Sequence, residues 1–110
     1  MKVFFYVQHL LGIGHLKRAA VLAAALRKAG FEVTLASGGA PVKGIGVDVQ
    51  LPPASAADLT FRTLLDQAGQ AVDEDWKRGR AAALLDAWRA SRAQVLLIEL
   101  FPFGRRQMRF

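Results

Sequence analysis

The sequence predicts an α/β fold in which a mostly parallel sheet carries helices on its faces. Three observations lead there. Short β-branched and aromatic runs alternate with longer alanine- and leucine-rich segments. The runs at 3–7 and 95–98 are apolar without polar alternation, as strands buried on both faces are. The helical segments between strands make right-handed crossovers, and so parallel neighbours, the expected connection. With 110 residues there is room for one domain and one core.

Residues 3–7, Val-Phe-Phe-Tyr-Val, read as a central parallel strand, and residues 8–15 as a glycine-containing loop. Residues 16–29 have high helix propensity, and Gly30 stands where a left-handed C-cap is usual. The middle of that helix is apolar nearly all round, with six alanines between Ala19 and Ala29, which suits close packing on a sheet under a further layer. Residues 31–37 form the second strand, and residues 47–51 a shorter third that Pro52 and Pro53 stop. Residues 53–72 show no strong period and read as an excursion loop, with a helical turn or two possible over 59–65. Asp73, Glu74 and Asp75 signal the start of a helix that runs to about residue 90, with Arg89 and Arg92 at the end where the dipole favours cations. Residues 95–98 make a fourth buried strand, Glu99 stands at its C-terminal end, and residues 102–104 turn the chain towards Arg105. The expected strand order is 3-2-1-4, about half of a doubly wound, Rossmann-like domain. The last residues, Arg109 and Phe110, fall just inside a further helix with no cap, so the chain reads as a truncated domain.

Composition excludes several functions. There is no cysteine, so disulfides, thiolate metal sites and cysteine nucleophiles are out, which fits a reducing cytosol and a cytoplasmic location. The longest apolar run, 19–26, is far short of the roughly 20 residues of a membrane span, which leaves only peripheral membrane contact open. The net charge of +6 raises nucleic acid as a partner, but the cations fall in short clusters without interleaved stacking aromatics, so no specific nucleic-acid binding is expected. Solvated helix faces account for some of these clusters and phosphate contacts could account for others.

Ligands of open α/β sheets bind at the C-terminal ends of strands near the point where strand order reverses, here between strands one and four. The loops that matter are therefore 8–15 and 99–106, with Gly104 and Arg105 the candidates from the second. Gly12 and Gly14 either make a tight βα turn only or let the backbone approach a phosphate at the helix N-terminus. Lys17 and Arg18 stand in the first turn of that helix, where cations oppose the macrodipole at a cost of order 0.3–1 kcal/mol each. A bound diphosphate would remove the conflict, and side chains turned to bulk water are the alternative. His9 and His15 flank the glycine turn. His15 is the preferred proton acceptor because the helix N-terminus favours a neutral imidazole. Two histidines are too few to make a metal site. Glu99 is placed to orient a base or to hold a sugar hydroxyl, and a salt bridge with Arg105 or Arg106 is an equally open reading. NAD is disfavoured, because Lys17 takes the third glycine position of the dinucleotide fingerprint and no carboxylate ends the second strand. A P-loop is missing its Gly-Lys-Ser/Thr.

The run from Phe4 to Ala20, FFYVQHLLGIGHLKRAA, followed by GFEVTL at 30–35, resembles the N-terminal domain of MurG-like glycosyltransferases. The segment VLLIELFPFGRR at 95–106 is similar to that of a bacterial, predicted glycosyltransferase branch of the same group. The resemblance implies a GT-B fold with two Rossmann-like domains across a cleft. Residues 1–110 would be the acceptor-side domain, and the domain that mainly holds the nucleotide diphosphate-sugar donor would lie outside them. It also implies transfer of a sugar to an unknown acceptor without a cofactor or bound metal, and no activity for this segment alone. Gly14 and His15 match the family's terminal Gly-His, which makes His15 a candidate base or acceptor-binding group. The loop departs from the family in carrying Leu10, Leu11 and Ile13 where glycine is commoner. A nucleotide-sugar epimerase of related fold and a non-catalytic nucleotide-binding or protein-interaction module are the other readings.

Overall fold

The computed structural model describes residues 1–8, 14–56 and 64–99. Strand β1, Lys2–Val7, is the centre of the molecule: Val3 to Val7 are all at most 6 % exposed, as an uninterrupted apolar run on a two-sided strand requires. Strand β2, Glu32–Ser37, pairs with β1 in parallel along its whole length, from Lys2 opposite Glu32 to Val7 opposite Ser37. Strand β3, Val49–Gln50, joins β2, and strand β6, Val95–Glu99, joins the other side of β1, both parallel. The sheet order β3-β2-β1-β6 is the predicted one, with the expected fourth strand sixth in the chain.

Helix α1, Gly14–Lys28, starts two residues before the expected position and covers one face over Phe5, Val7 and Leu35 through Leu16, Ala19 and Ala23. It ends as predicted. Gly30 adopts φ 97°, its N–H bonds the carbonyl of Arg27, and the N–H of Phe31 reaches back to that of Leu26, so the last carbonyls are satisfied. The outward side of α1, with Val21 and Leu22, is exposed. Helix α2, Glu74–Ser91, covers the opposite face. Asp73 caps it by accepting the N–H of Trp76 at 2.7 Å, and Arg92 closes it in the left-handed region. Its residues Ala83, Leu84, Ala87 and Trp88 pack on Phe4, Tyr6 and Ala36, with Trp88 edge-on to Phe4 at 5.9 Å between ring centroids. Fully buried Phe4 and Leu35 each contribute about 1.5–3 kcal/mol by leaving water. No helix among the described residues is long and apolar enough to cross a membrane.

Three expectations change. Strand β3 is two residues long because Asp48, which was read as part of it, gives its carboxylate to the N–H of Leu35 at 2.7 Å and to Arg27. The excursion at 53–72 holds a small antiparallel pair, β4 at Ser55–Ala56 and β5 at Leu64–Leu65, so residues 64–65 of the helical turn expected over 59–65 are strand; residues 57–63 lie outside the described residues. The Asp66 carboxylate accepts the N–H groups of Ala68 and Gln70, which turns the chain after β5, and Ala54, Ala56 and Leu64 bury together beside Trp76. Finally, β6 is not buried on both faces. Among the described strands it stands at the edge of the sheet, with Leu96 and Leu97 exposed at 49 % and 37 %.

Candidate functional site

Side chains alternate along a strand, so register decides which of them meet a helix. Phe5 and Val7 face α1. In the β1–β6 ladder Leu97 is opposite Phe5 and Glu99 opposite Val7, so Glu99 also faces α1, at the C-terminal end of its strand. There the first turn of α1 lies above it. The Glu99 Oε1 atom is 3.2 Å from His15 Nδ1 and accepts a hydrogen bond from Arg18 Nη2. Arg18 Nη2 is itself 3.2 Å from His15 Nδ1. The three side chains form one cluster that grades outward from Glu99 at 13 % exposure through His15 at 29 % to Arg18 at 56 %.

The site that the sequence suggests is thus partly assembled in the described residues. His15, Arg18 and Glu99 come together across 84 positions of sequence, at the junction of β1 and β6 where the strand order reverses. Gly14 opens the helix beside them. It does not have a positive φ, and a Cβ there would meet no described atom within 4 Å. Lys17 is exposed and forms no salt bridge with a described carboxylate. His9, Gly12, Gly104, Arg105 and Arg106 lie outside the described residues. The electrostatic argument from the helix dipole changes with this geometry. Glu99 supplies a negative charge at the N-terminus of α1 and answers Arg18, so the unresolved conflict with the dipole is that of Lys17.

Chemically, an imidazole backed by a carboxylate can take a proton from a hydroxyl, and an exposed guanidinium with helix N–H groups beside it can receive an oxyanion. No group of three or more metal-ligating side chains occurs among the described residues.

A second polar cluster, built on a cation that the sequence shows only as part of a short basic cluster at 77–80, lies on the α2 side of the same sheet edge. Arg80 is 3 % exposed. Its guanidinium donates to the Tyr6 hydroxyl at 2.9 Å, to the Gln8 amide oxygen, to the carbonyl of Gly38 at 3.3 Å and, through Nε, to that of Pro52 at 3.2 Å. It also lies over the Tyr6 ring. Gln8, Gly38 and Pro52 follow the ends of β1, β2 and β3, so one side chain holds the start of three connections. Gly38 is needed for this close approach, since a Cβ there would coincide with the Arg80 guanidinium and the Gln8 amide oxygen. The sequence did contain a signal: Trp76, Arg80, Ala83, Leu84 and Ala87 recur at three- and four-residue steps, which puts Arg80 in the apolar stripe of α2. Further along that face an apolar groove of about 180 Å³ runs between α2 and β6, lined by Leu84, Leu85, Trp88, Leu96 and Ile98, on the opposite side of the sheet from His15.

Compared with known proteins, the chain matches no family model, no curated protein and no solved structure.

Proposed function

We propose that this Rossmann-like domain is the acceptor side of an enzyme that moves a sugar from a nucleotide diphosphate-sugar to an acceptor hydroxyl. The observation that carries the reading is the His15–Glu99 pair at 3.2 Å, set at the strand-order reversal beside the N-terminus of α1. It agrees with the resemblance of the β1–α1 segment to MurG-like glycosyltransferases, in which the donor is held mainly by a second domain. In the proposed step the acceptor hydroxyl gives its proton to Nε2 of His15 while its oxygen bonds to the anomeric carbon. The bond from that carbon to the diphosphate breaks, and the nucleotide diphosphate leaves with the electron pair. Glu99 holds the Nδ1–H of the ring and so keeps Nε2 as the accepting nitrogen. Lys17, Arg18 and the first N–H groups of α1 receive the charge that develops on the leaving phosphates.

A second reading is favoured by one contact. Arg18 also occupies Glu99, as it would in a purely structural ion pair on a nucleotide-binding module without chemistry. The two separate in an NMR titration of the isotope-labelled chain with pyrophosphate, UDP, a UDP-sugar and NAD in parallel. Saturable shifts at 14–18 with pyrophosphate and the UDP ligands, but none specific to NAD, are expected. A folded chain whose resonances at 14–18 ignore every phosphate ligand would falsify the phosphate role. If phosphates bind but His15→Ala leaves sugar transfer by the intact enzyme unchanged, the non-catalytic reading of this site holds.

A further inference from the structure

The face of the sheet under α2 is covered unevenly. Strand register turns Leu96 and Ile98 of β6 to that face, opposite Phe4 and Tyr6 of β1. Helix α2 lies over Phe4, Tyr6 and Ala36, and β6 has no helix of its own among the described residues. Leu96 is 49 % exposed, and Leu85 on the facing flank of α2 is 50 % exposed. Between them runs the groove of about 180 Å³, walled on the helix side by Leu84, Leu85 and Trp88. That volume is small for a cofactor or metabolite, whose sites run to roughly 300–1,000 Å³, and is near the roughly 150 Å³ that takes a single benzene ring. It suits one or two apolar side chains on a ridge laid along the groove. A helix presents such a ridge, since its apolar residues recur at three- and four-residue steps; the flat surface of a bilayer does not.

Charge decides which helix fits. Arg89 follows Leu85 by four positions, and Arg92 follows Trp88 by four and Leu85 by seven, so both stand on the flank of α2 that borders the groove, at its C-terminal end. Both are exposed, and neither has an ion-pair partner among the described residues. The dipole of α2 accounts for their sign, and their helical position puts that charge beside the groove. Asp86 stands about 100° further round the helix from Leu85, away from it. The exposed row of α1 is flanked in the same way, with Lys17, Val21 and Lys28 at four- and seven-residue steps, so a second copy of this chain would set cation against cation. We propose that the groove between α2 and β6 docks an amphipathic helix of a partner protein, one that carries acidic residues in its first turn and lies antiparallel to α2. That orientation brings the partner's N-terminal turn, where carboxylates are favoured, beside Arg89 and Arg92, and it sets opposite ends of the two helix dipoles side by side. Apolar anchors at i, i+3 or i+4 and i+7 then cover Leu85 and Leu96.

The test is an NMR titration of the isotope-labelled chain with two synthetic helical peptides. One has glutamates in its first turn and leucines at i, i+3, i+4 and i+7; the other has lysines in place of the glutamates. Saturable shifts of the amides at 84–88 and 96–98 are expected with the glutamate peptide, and binding about tenfold weaker with the lysine peptide. Leu96→Ser, which alters a half-exposed side chain, should abolish the shifts with both. Arg89→Glu combined with Arg92→Glu, at two exposed positions, should reverse the preference between them. The inference is overturned if neither peptide shifts these amides, if both bind equally, or if Leu96→Ser binds as the parent does. It is also overturned if something else fills the groove. The signs would be nuclear Overhauser contacts from residues 100–110 to Leu85 and Leu96, a dimer in sedimentation that Leu96→Ser dissolves, or shifts of the same amides with phosphatidylglycerol vesicles and with neither peptide.

Discussion

Replacing Arg80 with methionine keeps the apolar stem in the α2 stripe and removes the guanidinium that spans three strand ends. It donates to the oxygens of Tyr6, Gln8, Gly38 and Pro52. Hydrogen bonds from a charged donor contribute about 1.5–3 kcal/mol each when counted singly, but they do not add, and the desolvation of a buried guanidinium offsets much of the sum. Two acceptors also keep partners after the change. Gly38 O still receives the N–H of Ala54 at 2.9 Å, and Gln8 Oε1 still receives the Tyr6 hydroxyl at 3.1 Å. The expected loss is therefore about 2–4 kcal/mol. At roughly 4 °C per kcal/mol for a domain of this size, the melting temperature falls by about 8–16 °C. The assay is a thermal melt followed by far-UV circular dichroism, with Arg78→Ala as the control. Arg78 lies two residues away on the same helix, but it and its partner Asp75 are largely in solvent, at 72 % and 87 % exposure, so its loss should cost no more than about 0.5 kcal/mol. If Arg80→Met melts with the Arg78→Ala control, the argument that Arg80 holds the loop starts together is refuted.

Gly38→Ala should push against the same guanidinium and lower stability by about 1–3 kcal/mol in a urea titration, and in combination with Arg80→Met it should cost less than the sum of the two. Asp73→Ala removes the carboxylate that caps α2 and should cost about 1 kcal/mol, while Asp73→Ser should restore most of it. Lys17→Ala, which strips the cation that no described carboxylate answers, should leave the melting temperature unchanged or raise it slightly, and should weaken pyrophosphate binding about threefold to tenfold by calorimetric titration. An unchanged pyrophosphate affinity would reduce Lys17 to a surface charge.

Alternation and cap chemistry made the fold legible. An unbroken Val-Phe-Phe-Tyr-Val run, an alanine-rich helix closed by Gly30, and an Asp73 signal before α2 are local patterns whose physics acts within a few residues, and they were enough for the parallel sheet and its order. The short elements were less legible because their causes are not local. Strand β3 starts late through a side chain, Asp48, that bonds the neighbouring strand, and the β4–β5 pair is held by packing against Trp76 from the next helix.

The candidate site divides along the same line. By itself the sequence determined which residue types crowd the first turn of α1 and that a carboxylate ends the last strand, since composition and strand direction place both at the ligand-binding edge. Only the tertiary structure decided that Glu99 takes Arg18 and His15 as its partners, because that depends on a β1–β6 register in which a shift of one residue would turn its carboxylate to the other face of the sheet. The same holds for Arg80. A cation in an apolar stripe has no meaning in the sequence until the strand ends beneath it present the oxygens that make its burial possible.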